Sequence, residues 1–100
     1  MFPVKLRWSD TARRELEQIF AFVRERSPAS ARSVAQRILH RARFLREFPF
    51  SGKESQVAGV RRLFVVNYPY VILYEIHQSD DEVLIVSVRH TARKQPPAED

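Results

Sequence analysis

The 100 residues predict an α+β fold with the order β-α-α-β-β-β, a helical hairpin packed on one face of a small antiparallel sheet. Three observations carry the prediction. Gly59 to Ile76 is the densest β-forming stretch, rich in Val, Ile, Tyr and Phe and broken once, at Asn67-Tyr68-Pro69. A third β-rich run, Val83 to Val88, follows the polar break His77 to Glu82. The first half holds two one-sided helical patterns that meet at Ser27-Pro28, and a three-stranded meander needs such a cover on one face.

In chain order, Val4, Leu6 and Trp8 alternate with Lys5 and Arg7, as in a strand with one buried side. Ser9 and Asp10 supply an N-cap and an early acidic group for a helix starting near Asp10. Its apolar stripe is Ala12, Leu16, Ile19, Phe20 and Val23. Pro28 ends it, because the residue before a proline is pushed out of helical geometry. The same pair starts the second helix, with Ser27 as N-cap and Pro28 where a missing N–H is harmless. That helix carries Ala31, Val34, Ala35, Ile38, Leu39, Ala42 and Leu45 on one stripe, and Phe48-Pro49-Phe50-Ser51-Gly52 closes it. Gly52 to Gly59 reads as a polar loop. Residues 1–94 form one domain, and residues 95–100, with two prolines and no apolar period, read as a disordered tail.

Composition narrows the chemistry. There is no cysteine, which excludes disulfides, thiolate metal sites and a thiol nucleophile. His40, His77 and His90 are widely spaced and belong to no ligand motif, so neither a metal nor another cofactor is expected. No Gly-rich phosphate loop or nucleophile elbow occurs. No segment has membrane-spanning length, and the N-terminus lacks a signal-peptide core, so the expected location is cytoplasmic. The net charge of +5 is uneven: residues 1–50 hold eleven basic and five acidic groups, residues 51–100 six and seven. A basic first half favours an acidic partner such as nucleic acid or an acidic protein segment, although fourteen arginines also fit coding bias.

The late strands have more apolar surface than one helical layer covers. Tyr70, Ile72, Tyr74 and Ile76 face one way and Val71 and Leu73 the other; Val83 and Ile85 oppose Leu84, Val86 and Val88. Either the second face folds under the loop and tail, or it stays open as a partner site. On the second helix Arg37, Arg41, Phe44 and Phe48 form a cationic and aromatic strip beside the core stripe. Its bland reading is two phenylalanines wrapped onto the sheet edge under arginine stems. The remaining polar cluster is Arg61, Arg62, His90 and Arg93. If the first and last strands of the meander were neighbours, His90 as base, Arg61 and Arg93 as cations and a nearby tyrosine would suit metal-free RNA cleavage. Otherwise this is a solvated strand end whose arginines pair with carboxylates.

Several stretches, in this order over residues 3–94, resemble one family. They are Trp8-Ser9 with Ala12 and Leu16-Glu17-Gln18-Ile19; Ser27-Pro28-Ala29-Ser30-Ala31; Phe48 to Gly52; Gly59-Val60-Arg61-Arg62-Leu63; Tyr68 to Tyr74; and Val88 to Arg93. The pattern is similar to the RelE/ParE superfamily of bacterial type II toxin–antitoxin toxins. The Ser-Pro-Ala-Ser-Ala turn and the Tyr-Pro-Tyr hairpin lean toward its ParE branch. The resemblance implies a βααβββ toxin that binds and poisons DNA gyrase without catalytic residues of its own. It further implies a hetero-oligomer with a small cognate antitoxin seated on the surplus apolar surface, for which Phe44, Phe48, Leu73, Val86 and Val88 are the candidate contacts. The alternative it implies is a RelE-like ribosome-dependent mRNA endoribonuclease. Arg61, His90 and Arg93 match the wider superfamily pattern, whereas only three lysines occur and no Phe, Trp or Tyr follows Tyr74. Arg89 departs from the apolar residue usual before that histidine.

Overall fold

A computed structural model describes residues 4–92. Its elements are β1 (Lys5–Trp8), α1 (Asp10–Arg26), α2 (Pro28–Phe44), β2 (Lys53–Glu54), β3 (Arg61–Phe64), β4 (Tyr70–His77) and β5 (Glu82–His90). The α+β class and the order read from the sequence hold, with two additions. A two-residue β2 forms inside the loop and pairs with β3 at Lys53↔Arg62 and Glu54↔Arg61. The single five-stranded sheet runs β1-β5-β4-β3-β2, and β1 joins it in parallel to β5, so the sheet is mixed around an antiparallel meander. The proposed tail, residues 95–100, lies outside the described residues.

Local chemistry sets the helix ends. The Ser9 hydroxyl accepts the Ala12 N–H at 3.0 Å and donates to the Val86 carbonyl at 3.2 Å, so the cap of α1 is also a tie to β5. Ser27 serves both helices: its N–H donates to the Val23 carbonyl at 2.7 Å, and its hydroxyl is the N-cap of α2. Asn67, with φ of 70°, turns β3 into β4, a left-handed conformation that asparagine tolerates.

The helices cover one face only. Ala12, Val34, Ile38, Ala42 and Leu45 pack onto Leu63, Val65, Tyr70, Ile72, Tyr74, Val83, Ile85 and Val88. Three of the helical positions in this core stripe (Ala12, Ala31 and Ala42) are alanines with no exposed surface, which lets the helices lie close. Val88 corrects the simple alternation. Ile72 pairs with Val88 and Tyr74 with Ile85, which leaves Val86 as an extra residue in β5, a bulge. Beyond the bulge the parity of β5 reverses, and Val88 is 2% exposed on the helix-covered side rather than grouped with Leu84.

Candidate functional site

The face of the sheet away from the helices is built from two rows. The register aligns Phe64, Val71 and Arg89 across β3, β4 and β5, and beside them Arg62, Leu73 and Ser87. The floor is apolar, and an arginine stands on the outer strand at each side. The loop before β3 contributes Ser55, Val57 and Val60, and the result is a groove of about 400 Å³. Phe64 is 54% exposed and Val57 47%, so the loop walls the groove without closing it. The floor is not bare, since Val71 is 3% exposed; the loop covers part of the second face, and the tail that the sequence offered as further cover lies outside the described residues. Arg89 donates from Nε to the Ser87 hydroxyl at 2.9 Å, which holds its stem along the groove wall.

The candidate contact residues divide. Leu73 lines the groove, and Val86 is half-buried at the bulge. Val88 is in the core beneath the helices, for the parity reason given above. Phe44 is the last residue of α2, and Phe48, expected on the same helix, follows its end; the two rings are tilted by 30° with centroids 4.8 Å apart, and Phe48 is 52% exposed. Arg41 stacks on Phe44 and donates from Nε to the Phe64 carbonyl at 3.1 Å, so the strip does run to the sheet edge. Leu73, Val71 and Arg62 were legible in the sequence, the first two as one side of β4, whereas Phe64 and Val57 were not singled out. The alternation of Arg62 and Phe64 against buried Leu63 and Val65 carried that signal.

Among the described members of the basic cluster, Arg61 and Arg62 do not converge with His90. β4 separates β3 from β5, and the register partners of Arg61 and His90 are Tyr74 and Tyr70. At ~3.3 Å per residue and ~4.8 Å between strands, Arg61 and His90 are ~13 Å apart along the sheet and ~10 Å across it. Arg61 is engaged elsewhere: its Nη2 donates to the Gly52 carbonyl at 2.6 Å and the Phe50 carbonyl at 3.3 Å. Its guanidinium lies over the Phe50 ring, and its buried Nε has no hydrogen-bond partner. These partners are backbone carbonyls, not the carboxylates expected. Arg62 projects from the other face, beside Phe64. His90 meets Tyr70 edge to face at 5.4 Å, and its Nδ1 accepts the Ala92 N–H at 3.0 Å, which in the neutral ring leaves the proton on Nε2. It borders a cleft of about 270 Å³ with Glu15, Gln18, Ile19 and Phe22 of α1. Arg93 lies outside the described residues. A meander always places its middle strand between the other two, so this separation was available from the strand order alone.

Among the described residues no group of three or more His, Asp or Glu is placed to hold a metal, and no helix is long and apolar enough to cross a membrane.

Residues 6–95 match the family model of the ParE toxin of the type II toxin-antitoxin system parDE. The chain is 32% identical over 92 residues to Y4kP of Sinorhizobium fredii (strain NBRC 101917 / NGR234), which carries the name of a toxin; the match covers 92% of this chain and 93% of that one. It is 37% identical over 86 residues to Toxin RelE2 of Caulobacter vibrioides, covering 86% of this chain and 93% of the other. Among solved structures, a chain of a chromosomal ParDE system from P. aeruginosa superimposes with a TM-score of 0.79 at 22% identity, covering 87% of this chain and 95% of that one. A chain of the RelBE2 toxin–antitoxin complex of Mycobacterium tuberculosis gives 0.63 at 28% identity, covering 93% and 97%.

Proposed function

The chain belongs to the ParE toxin family of type II toxin–antitoxin systems, and from that premise we propose that it acts by binding, with DNA gyrase as its target and a cognate antitoxin on the open sheet face. The observation that carries the binding reading is the contrast between its two candidate surfaces. The groove is apolar, exposed at Phe64 and Val57 and flanked by Arg62 and Arg89, which suits an amphipathic protein segment with carboxylates at its margins. Arg61 and His90, two of the nominated catalytic groups, lie apart on the sheet, and Arg61 spends donors on the backbone of Phe50 and Gly52. The antitoxin proposal draws further support from its structural neighbours, a chain of a ParDE toxin–antitoxin system and a chain of a RelBE2 toxin–antitoxin complex.

The test is supercoiling of relaxed plasmid by purified gyrase with the isolated chain added, beside a ribosome-programmed mRNA cleavage assay. Inhibited supercoiling with intact mRNA is expected. Cleaved mRNA with unaffected gyrase overturns the gyrase reading and favours the second one, a RelE-like endoribonuclease. One observation favours that alternative: His90, Tyr70 and Glu15 border a single cleft. Under it, His90→Ala lowers the cleavage rate by a factor of about 10² or more; under the binding reading the same change leaves gyrase inhibition within a few-fold.

A further inference from the structure

Helix α2 carries a charge distribution that the groove does not use. Pro28–Phe44 contains Arg32, Arg37, Arg41, Arg43 and His40 and no aspartate or glutamate, whereas α1 sets four acidic residues against four arginines. The inward arc of α2 is fixed by Ala31, Val34, Ile38 and Ala42, all buried. At about 100° per residue, Arg32 and Arg43 then fall on one side of the outward arc and Arg37 and Arg41 on the other, with Gln36, His40, Ser33 and, at the helix end, Phe44 between them. Every exposed side chain from position 32 to position 43 is Arg, Ser, Gln or His. Ser33, Gln36, Arg37 and His40 also form, with Tyr68, a cleft of about 410 Å³ in which each side chain can donate a hydrogen bond and none is a carboxylate.

This face is not neutralised from within. Among the described residues none of the ion pairs involves an α2 arginine, and Arg41 donates to a backbone carbonyl. Like charges four apart, as at Arg37 and Arg41, cost a helix about 0.2–0.5 kcal/mol. We infer that the outward face of α2 docks on the phosphate backbone of duplex DNA. A protein partner is disfavoured because protein interfaces need an apolar centre, and the large exposed apolar side chain on this arc is Phe44, at the helix end, 37% exposed and overlaid by Arg41. The polar, positive and hydrogen-bonding character is that of a protein–DNA interface. Two arginine rows on a helix of about 10–12 Å diameter match the two phosphate strands that border the ~12 Å major groove of B-DNA, whereas the major groove of duplex RNA is too narrow and deep to be read this way. The contact involves DNA itself, with gyrase absent.

The experiment is fluorescence anisotropy of a short labelled duplex DNA titrated with the full chain at about 50 to 200 mM salt. The comparison is the triple variant Arg32→Gln, Arg37→Gln, Arg43→Gln, whose fold is checked by circular dichroism. The expected result is a log–log salt slope of about −3 or steeper for the native chain, made shallower by about 0.9 for each arginine removed. The single variants Arg37→Gln and Arg43→Gln give the same reading one step at a time should the triple variant fail to fold. Unchanged binding by these variants overturns the inference. Equal competition by duplex RNA of the same sequence, or by polyglutamate, overturns it as well, the latter in favour of an acidic protein partner.

Discussion

Gly52, Tyr74 and Arg61 make a three-part lock between the end of the helical hairpin and the sheet. The Tyr74 hydroxyl donates to the Pro49 carbonyl at 2.8 Å and accepts the Gly52 N–H at 3.0 Å, while Arg61 holds the Gly52 carbonyl. A Cβ at position 52 would stand 2.5 Å from the Arg62 carbonyl oxygen and 2.6 Å from the Tyr74 hydroxyl, so only glycine fits without moving backbone. Gly52→Ala is therefore expected to lower unfolding free energy by about 2–3 kcal/mol, read from the urea midpoint. Tyr74→Phe leaves a buried N–H and a carbonyl unpaired and is expected to cost about 1–3 kcal/mol. If Gly52→Ala unfolds at the native urea concentration, the lock is not formed in solution. The Phe-Pro-Phe-Ser-Gly punctuation was legible as a helix stop. Its fastening to Tyr74, 22 positions on, was not, because periodicity reports which face a residue takes and not what its hydroxyl reaches.

Among the elements, α1 and β5 are joined through one carboxylate. Glu15 Oε1 accepts the Ser87 hydroxyl at 2.8 Å and the Val88 N–H at 2.9 Å, which satisfies the edge of β5 just past the end of β1 and just past the bulge. An acceptor is required there, not a charge. Glu15→Gln is expected to stay within about 1 kcal/mol of the native chain and Glu15→Ala to lose about 1–3 kcal/mol, measured by denaturant unfolding; equal losses would assign the role to charge. The helices and both serine caps could be read in the sequence because caps and stripes are local. The bulge at Val86 could not, since nothing within β5 distinguishes an extra residue from a paired one. Its effect is to place Val88 in the core, where plain alternation grouped it with Leu84 and Val86 on the opposite side.

At the scale of the molecule, one sheet face is sealed by helices and the other is an apolar groove between arginines. Phe64→Ser with Leu73→Ser is expected to weaken antitoxin binding at least ten-fold, about 1.4 kcal/mol or more, by calorimetry. The helical signature of the fold should persist, because Phe64 is 54% exposed. Undiminished affinity would move the antitoxin to the Phe44 and Phe48 flank. The surplus of apolar residues announced the second face, but which side chains line it depended on register, which strand text alone leaves open. The parallel seam between β1 and β5 has a further consequence. Lys5 finds its partner in Glu82 and Trp8 in Ile85, so β1 cannot take its place in the sheet until β5 has been made. Such long-range pairing is slow to form. A nascent chain whose β5 has not yet emerged therefore lacks the finished sheet, and with it the groove that β3, β4 and β5 build together.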